Sequence, residues 1–424
     1  MSEQEVRIVG FDCGEDEHQA VLLDGEGQEA FRVAMTNRRD RIEEGFALIL
    51  LRAPTGAKLV VAVESTRSHG RLVTEVAKGL GCEVWQVNTV ALNHFRAVEG
   101  QPRKDDVRDA YLCARMVYLR MQGARMKVEI SDEERVLSRL TRAYSRIMEA
   151  RTRALQALHA ILLELAPEVL HRHWAGPKVN SKAMLYLLER WPGFRGLERA
   201  QLRSIEKILH SCRYGDRAAD VAKWLRDVAR RIEMSNEERR IVTLEMQNAV
   251  EQIRSCDAAL GQLKQEISER VQRHPVGVRL LEMPGIGVIV AGVLIGELLP
   301  VARTSREAQS ATYAGVTPLG RKSGKSLNTS RLTRGVNKWV LHALYTSAVA
   351  AKKCSAIDRA YYEKKLLGYA GHKKPHVAAF IALGRQRHKV IFKILTTGAR
   401  YDKETLISSH LERIKNQQQH EAAA

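Results

Sequence analysis

The run Lys58-Leu59-Val60-Val61-Ala62-Val63-Glu64 constrains the fold more than any other stretch of this chain. Successive side chains of a strand point to opposite faces of its sheet, so an unbroken apolar run needs cover on both sides. The pattern predicts a central strand over 58–63, buried between helices, with one charged residue, Glu64, at its tip.

The surrounding segments supply the rest of such a sheet. Residues 7–14 read as a strand that delivers one carboxylate, Asp12, and turns at Gly14. Strands over 18–23 and 29–35 flank Asp24-Gly25-Glu26-Gly27, a hairpin signal. A helix over 38–51, the central strand, a helix over 70–80 and a strand over 83–87 follow. Acids thus end the first and fourth strands.

A third acidic locus is Lys104-Asp105-Asp106-Val107-Arg108-Asp109-Ala110, which opens an amphipathic segment through Tyr111, Leu112, Met116, Val117 and Leu119. On a helix Asp109 shares a face with Asp105 or with Asp106, and spacing leaves that choice open. Two carboxylates so close repel by roughly a few kcal/mol at an effective dielectric near 20, which calls for a cation. The plainer alternative is an acidic helix start that caps open amides. Three acidic loci in this order suit an RNase H-like, RuvC-like domain whose carboxylates hold Mg²⁺. Two such ions roughly 3.5–4 Å apart stabilise both oxygens of an in-line phosphoryl displacement. Actin-like kinases also begin with strand, Asp and Gly, but they need further glycine-rich phosphate loops and a second related domain, which this chain lacks.

The balance of 68 Lys and Arg against 49 Asp and Glu gives a formal charge of +19, which predicts a polyanionic partner. The longest apolar stretch, 288–302, is interrupted by Gly292, Gly296, Glu297 and Pro300, so no membrane span is expected. The N-terminus has no basic-then-apolar signal pattern, and a cytoplasmic location follows. Six cysteines, none in a C-x-x-C pair, argue against a disulfide framework or a structural zinc.

Beyond residue 130 the apolar period becomes helical. Leu137, Leu140, Tyr144, Ile147, Arg151, Ala154, Leu158, Ile161 and Leu165 form a seam in alternating steps of three and four, with Arg151 its one polar member. Val242, Met246, Ala249, Ile253, Cys256, Leu260, Leu263 and Ile267 form a second. The two seams could pair with each other or with another subunit. Between them, Trp174, Trp191 and Trp224 read as the core of a small helical insertion, about 166–235, with base stacking as the alternative. His171 and His173 have no partners at metal spacing.

Met283-Pro284-Gly285-Ile286-Gly287 before an apolar helix resembles a helix-hairpin-helix turn, and its Gly285 and Gly287 amides are candidate phosphate contacts. Further on, Arg321-Lys322-Ser323-Gly324-Lys325-Ser326 places a serine among Arg321, Lys322 and Lys325. Such a serine could be a nucleophile whose attacked phosphate is neutralised by its neighbours, or merely a phosphate contact in a loop. No P-loop pattern is present. Basic helices over 337–352 and 373–393 precede a tail from about residue 404.

These residues together resemble the DEDD transposases of bacterial insertion sequences, family one-hundred-and-ten type, whose studied members behave as bridge-RNA-guided serine recombinases. Val9-Gly10-Phe11-Asp12 is similar to the family's opening Asp, and Val61-Ala62-Val63-Glu64-Ser65-Thr66 to its Glu strand. Lys104 to Ala110 is similar to its Lys-x-Asp-x-x-Asp-Ala. Pro284-Gly285-Ile286-Gly287, Ala314-Gly315 with Pro318, and Ser323-Gly324 resemble its C-terminal domain. Leu332 to Asn337 partly follows its Ile-Thr-Lys-x-Gly-Asn, with Val336 in the glycine place.

The resemblance covers about residues 6–121 and 278–402, and with the seams between them it gives an α/β plus α architecture: a RuvC-like domain over 1–128, a coiled-coil hairpin over 129–275 whose insertion is longer than the family's usual linker, a mostly helical transposase domain over 276–403, and a tail. It makes Asp106 and Asp109 the third and fourth acids beside Asp12 and Glu64, all four as Mg²⁺ ligands, and Ser323 the nucleophile. From the residues themselves, Lys104, Gly285, Gly287, Arg321, Lys322 and Lys325 are expected as nucleic-acid contacts. Implied partners are donor and target DNA, a noncoding guide RNA and further copies of the chain, as a dimer or tetramer, in a bacterial cytoplasm and on the nucleoid when acting. Two other readings stand beside it: a RuvC-like, metal-dependent, structure-specific nuclease that hydrolyses without a covalent intermediate, and a basic scaffold with degenerate acids.

Overall fold

A computed structural model describes residues 5–66, 68–99, 105–119, 125–127, 129–171, 176–323, 327–332 and 335–402, with 125–126, 318–323 and 327–332 described as backbone. The chain forms two compact units, Met1–Arg139 with Arg270–Ala424, and Leu140–Glu269. The expected domains 1–128 and 276–403 both fall in the first unit, and 129–275 brackets the second.

The first unit opens with β1 (Val6–Cys13), β2 (Glu17–Leu23), β3 (Glu29–Thr36), α1 (Arg39–Arg52), β4 (Lys58–Val63), α2 (Arg71–Gly79), β5 (Glu83–Val87), α3 (Thr89–Val98), α4 (Asp106–Tyr118) and β6 (Arg125–Lys127). The strands form one mixed sheet in the order β3-β2-β1-β4-β5-β6, with β1, β4 and β5 parallel and β2 and β6 antiparallel to their neighbours. As the apolar run requires, β4 is covered on both faces. Val61 and Val63 pack with Val9 and Phe11 under α1 and α2, where the Phe11 and Phe46 rings stack at 5.3 Å. Val60 and Ala62 pack on the other side with Leu92 of α3 and Ala110 and Ala114 of α4.

On that second face α4 lies directly on β1. A Cβ at Gly10 would lie 2.0 Å from the Ala110 carbonyl oxygen and 2.6 Å from the Ala114 nitrogen, so only glycine lets the helix sit this low. The far end of α4 is tied to the β2–β3 turn, where Arg115 donates to the Gly27 carbonyl (2.7 Å) and the Tyr118 hydroxyl to that of Gly25 (3.2 Å).

Helix α5 (Asp132–Leu165) runs from the first unit into the second, which continues with α6 (Lys182–Arg190), α7 (Leu202–Ser211), α8 (Ala218–Arg231) and α9 (Asn236–Arg273). The two predicted seams meet within one chain: Ala154, Leu158 and Leu165 share a core with Met246, Ala249 and Ile253. Arg151, the polar member of its seam, forms an ion pair across the helices with Asp257, with its Nη2 donating at 3.2 Å. Trp191 and Trp224 pack against this core, as the core reading expects. Trp174 and His173 lie outside the described residues, and His171 is exposed.

The first unit resumes with α10 (Pro275–Leu281), α11 (Val288–Val293), a π-helical turn (Leu294–Leu298), α12 (Leu299–Thr304), α13 (Glu307–Tyr313), the two-stranded hairpin β7 (Pro318–Ser323) and β8 (Leu327–Leu332), α14 (Lys338–Cys354), α15 (Ala356–Gly368) and α16 (Pro375–Thr397). Among the described residues no helix is long and apolar enough to cross a membrane. At the centre of this helical part the Ser310 hydroxyl lies 3.0 Å from Nε2 of His388, whose Nδ1 lies 2.9 Å from Glu307. With a carboxylate at Nδ1, that nitrogen carries the proton and Nε2 accepts from the serine.

Burial above all pushes the His388 pKa down to about 4, against the pull of Glu307. Between pH 6.5 and 4 the unfolded chain therefore takes up a proton that the folded one refuses, and stability falls as pH falls, by about 1.4 kcal/mol per unit. The expected result is a lower thermal midpoint at pH 5 than at pH 7.5, with a flatter profile in His388→Gln, followed by circular dichroism. Equal slopes in the two proteins would contradict it.

Candidate active site

Asp12 is the penultimate residue of β1, and Glu64 directly follows β4. In the parallel register Phe11 pairs with Val63, so the next step along both strands brings Asp12 and Glu64 side by side. Alternation decides their face. Phe11 and Val63 point to α1 and α2, so the residues beside them point to α4, as Gly10 and Ala62 do.

From the opposite side α4 contributes Asp109, buried in its first turn. Cys113, one turn further along, feels this convergence. Its thiol is pushed well above the ordinary range by burial first, and then by the charges of Glu64, Asp12 and Asp109 among its neighbours. The Cys13 thiol is raised to about 12 by burial, with Asp12 and Glu64 adding to it.

The three acids of the 104–110 motif have three different environments. Asp105 is the N-cap of α4, and its Oδ1 accepts from the Val107 nitrogen at 2.9 Å and from that of Arg108 at 3.4 Å. The capping reading therefore holds for this residue. Asp106 is exposed. Asp109 is bound by Arg96 of α3, with Nε at 2.8 Å and Nη2 at 2.6 Å from the same Oδ1. The cation beside the crowded acids is thus, at Asp109, a side chain of the chain itself, which spacing alone does not reveal.

Among the described residues no group of three or more His, Cys, Asp or Glu is gathered tightly enough to hold a metal ion as it stands. The donor set nevertheless suits a hard divalent cation: it is carboxylate only, arriving from two adjacent strand tips and the helix above them. Asp12 and Glu64 are the pair the strands already bring together, and Arg96 takes up one oxygen of Asp109.

The predicted serine segment is a hairpin rather than a loop. Arg321, Lys322 and Ser323 lie on β7, with Ser323 its last residue and Leu327 of β8 its Cα partner. Lys325 and Lys104 lie outside the described residues. The hairpin returns to the sheet at Gly335, which takes a left-handed φ of +78°; a Cβ there would lie 2.3 Å from Cγ2 of Val90. Val90 lies in the first turn of α3, where its nitrogen donates to the cap Asn88, just past the end of β5. That strand neighbours β4, and Gln86 of β5 donates to the Glu64 carbonyl at 3.2 Å. One foot of the serine hairpin therefore stands on the first turn of α3, just past the end of β5, the neighbour of the strand that leads to Glu64.

Gly285 and Gly287, expected as phosphate contacts, differ in setting. Gly285 has a left-handed φ of +81° and presses on α14, where a Cβ would lie 2.6 Å from the Ala351 nitrogen. Gly287 is exposed at the start of α11, with open space where a side chain would be.

Comparison with known proteins identifies the class of this chain as transposase. Residues 9–167 match a DEDD transposase model, and residues 278–363 match the model described as transposase, IS116/IS110/IS902 family. The two together span more than half of the chain, which belongs to this family. The 43.6 kDa protein of insertion element IS110 from Streptomyces coelicolor is 26% identical over 404 residues, 93% of this chain and 95% of its own. The 42 kDa protein of insertion element IS900 from Mycobacterium paratuberculosis is 24% identical over 404 residues, covering 93% of this chain and 97% of its own. The 44.8 kDa protein of insertion element IS116 from Streptomyces clavuligerus is 23% identical over 403 residues, 93% and 96% of the two chains. Membership of the DEDD group implies dependence on a divalent metal, typically Mg²⁺.

Proposed function

We propose that this transposase cuts and rejoins DNA through a covalent serine link, with Asp12, Glu64, Asp106 and Asp109 as the metal-holding acids of an RNase H-like, RuvC-like domain and Ser323 as nucleophile. The observation that carries the reading is that the hairpin whose first strand ends in Ser323 is footed, through Gly335, on Val90 in the first turn of α3, just past β5 and beside the strand that leads to Glu64. The strand order, with the antiparallel β2 and β3 beside a parallel β1, β4 and β5, suits the RuvC-like assignment.

A bound divalent ion supplies Lewis-acid stabilisation of the charge that builds up on the scissile phosphate. The Ser323 oxygen forms a bond to phosphorus as the bond to the departing DNA oxygen breaks, and that oxygen takes up the proton the serine loses. Because a phosphodiester replaces a phosphodiester, the energy of the cut bond is kept for rejoining. Arg321 and Lys322 immediately precede the attacking residue in the sequence and supply the charge that neutralises phosphate in this reading. Guidance by a noncoding RNA, and assembly of two or four copies around two DNAs, complete the proposal and are motivated by the family resemblance and the charge of +19.

The test is to incubate the protein with Mg²⁺, donor and target DNA and RNA transcribed from the element's flanks, then look for a protein-DNA adduct on denaturing gels. The wild type is expected to form it and Ser323→Ala to form none. An adduct that persists in Ser323→Ala would falsify the nucleophile assignment. Cut ends without attached protein in the wild type would favour the hydrolytic nuclease.

A further inference from the structure

Glu297 is a carboxylate only 3% exposed, set in the π-helical turn between α11 and α12. Its Oε2 accepts from Nδ2 of Asn337 at 2.9 Å, and its Oε1 accepts from the hydroxyl of Ser138, in the second turn of α5. The α5 backbone comes close enough that a Cβ at the adjacent Gly296 would lie 2.5 Å from the Ser138 nitrogen. Burying a carboxylate is expensive unless hydrogen bonds replace its water, and an apolar residue of similar volume often serves stability as well or better. What an apolar residue could not do is hold Asn337.

Asn337 links the two feet of the serine hairpin. Its Oδ1 accepts from the backbone nitrogens of Trp339 (3.0 Å) and Val340 (3.2 Å), capping α14. Its Nδ2 gives one hydrogen to Glu297 and the other to the Tyr313 hydroxyl, at 2.7 Å. Every donor and acceptor of the amide is engaged, so it can neither flip nor turn without leaving a buried group unpaired. Tyr313 ends α13, five residues before β7, and Asn337 stands five residues after β8. The Asn337 nitrogen also donates to the Tyr313 carbonyl at 2.8 Å, and Gly315, at φ +73°, packs on Val336. The chain thus leaves for the hairpin and returns from it at one point, and Glu297 holds that point against α5.

We infer that Glu297 is a positioning residue for strand transfer: with Asn337 and Tyr313 it clasps the base of the β7–β8 hairpin and fixes where Ser323 is presented. This rests on the proposed role of Ser323, but the clasp itself can be tested without DNA. The hairpin carries tryptic sites at Arg321, Lys322 and Arg331, and Arg199, whose side chain is 90% exposed in the other unit, provides an internal reference. Full-length protein is digested briefly with trypsin, and each site is followed by mass spectrometry.

In Glu297→Ala, cleavage at the hairpin sites is expected to rise about tenfold relative to Arg199, as fits the loss of a charged hydrogen bond that restrains local opening. Glu297→Gln keeps an acceptor for Asn337 and can bond Ser138, and it should stay near the wild type. Tyr313→Phe removes a single partner of Asn337 and should show a smaller rise, which serves if Glu297→Ala does not fold. Hairpin cleavage that rises no more than cleavage at Arg199, in Glu297→Ala or in Tyr313→Phe, overturns the clasp. In the adduct assay Glu297→Ala should lose rate while its DNA affinity holds, and Glu297→Gln should restore the rate. Ser323→Ala should digest like the wild type, so the clasp stands or falls on the digestion pattern even if the nucleophile assignment fails.

Discussion

Gly10→Ala and Gly10→Val are both expected to unfold the N-terminal sheet well before wild type in urea, at a cost of about 3 kcal/mol or more. The reason is the nature of the obstacle. An added Cβ at Gly10 meets the Ala110 carbonyl oxygen at 2.0 Å and the Ala114 nitrogen at 2.6 Å, which are backbone atoms of a packed helix and cannot turn aside as a side-chain tip does. Relief requires α4 to lift off β1, and that movement also carries Asp109 away from Asp12 and Glu64. A DNA-cleavage assay should therefore fall with stability even under conditions where the variant is mostly folded. Gly79, at the end of α2, is the control: no atom lies within 4 Å of a Cβ there, and Gly79→Ala should leave the midpoint within about 0.5 kcal/mol. If Gly10→Ala melts with Gly79→Ala, the close contact of β1 with α4 is not what holds the helix over the strands.

The elements most legible in the chain are those whose local pattern and tertiary setting agree. The run from Lys58 to Val63 and the segment from Glu83 to Val87 are strands with the expected ends, because burial on both faces and β-branched content point the same way. Helix α3, between β5 and the acidic helix, does not stand out by periodicity. Asn88 is its available signal: it caps the helix by accepting from the nitrogens of Val90 and Ala91 at 2.9 and 3.1 Å. Helix α15 is likewise marked only by its cap, Ser355, whose side chain accepts from the Asp358 nitrogen. Strands β7 and β8 carry polar residues and a glycine without apolar alternation, so nothing in Pro318–Ser323 or Leu327–Leu332 separates them from a loop.

The candidate site is readable in the sequence as a set of acids but not as a set of contacts. Asp12 and Glu64 follow from strand tips, and their shared face follows from alternation once the register is known. Asp105, the extra acid of the motif, has a local task, capping, that acts over two and three residues. Arg96 and Glu297 work through partners 13 and 40 positions away, distances at which no periodic pattern speaks. Glu297 does leave a trace, as a lone carboxylate interrupting an apolar stretch, and the same interruption that argues against a membrane span marks a buried group in need of partners. Gly335 rather than Val336 takes the left-handed turn after the hairpin, so the departure from the family pattern at Val336 leaves the backbone a glycine where it needs one.

Arg96→Met is expected to lower stability by about 3 kcal/mol, and adding Asp109→Asn should recover most of that loss without recovering DNA cleavage. The side chains of Arg96 and Asp109 are 13% and 2% exposed, and the two bonds between them fall on one carboxylate oxygen. Removing the guanidinium strands a buried negative charge, and that penalty, rather than the worth of the bond, dominates the single variant. Asn at position 109 carries no charge to strand, so the double variant escapes the penalty. The same replacement takes away a carboxylate assigned to the metal, and Asp109→Asn alone should reduce cleavage by about three orders of magnitude, the several kcal/mol that a correctly held ion supplies to the transition state. Chemical denaturation of the four proteins gives the coupling energy, and cleavage of labelled DNA with Mg²⁺ gives the activity. An Arg96→Met protein as stable as wild type would mean the pair is solvated rather than buried. A double variant that cuts DNA normally would remove Asp109 from the metal-holding set and leave Arg96 as no more than its structural counter-ion.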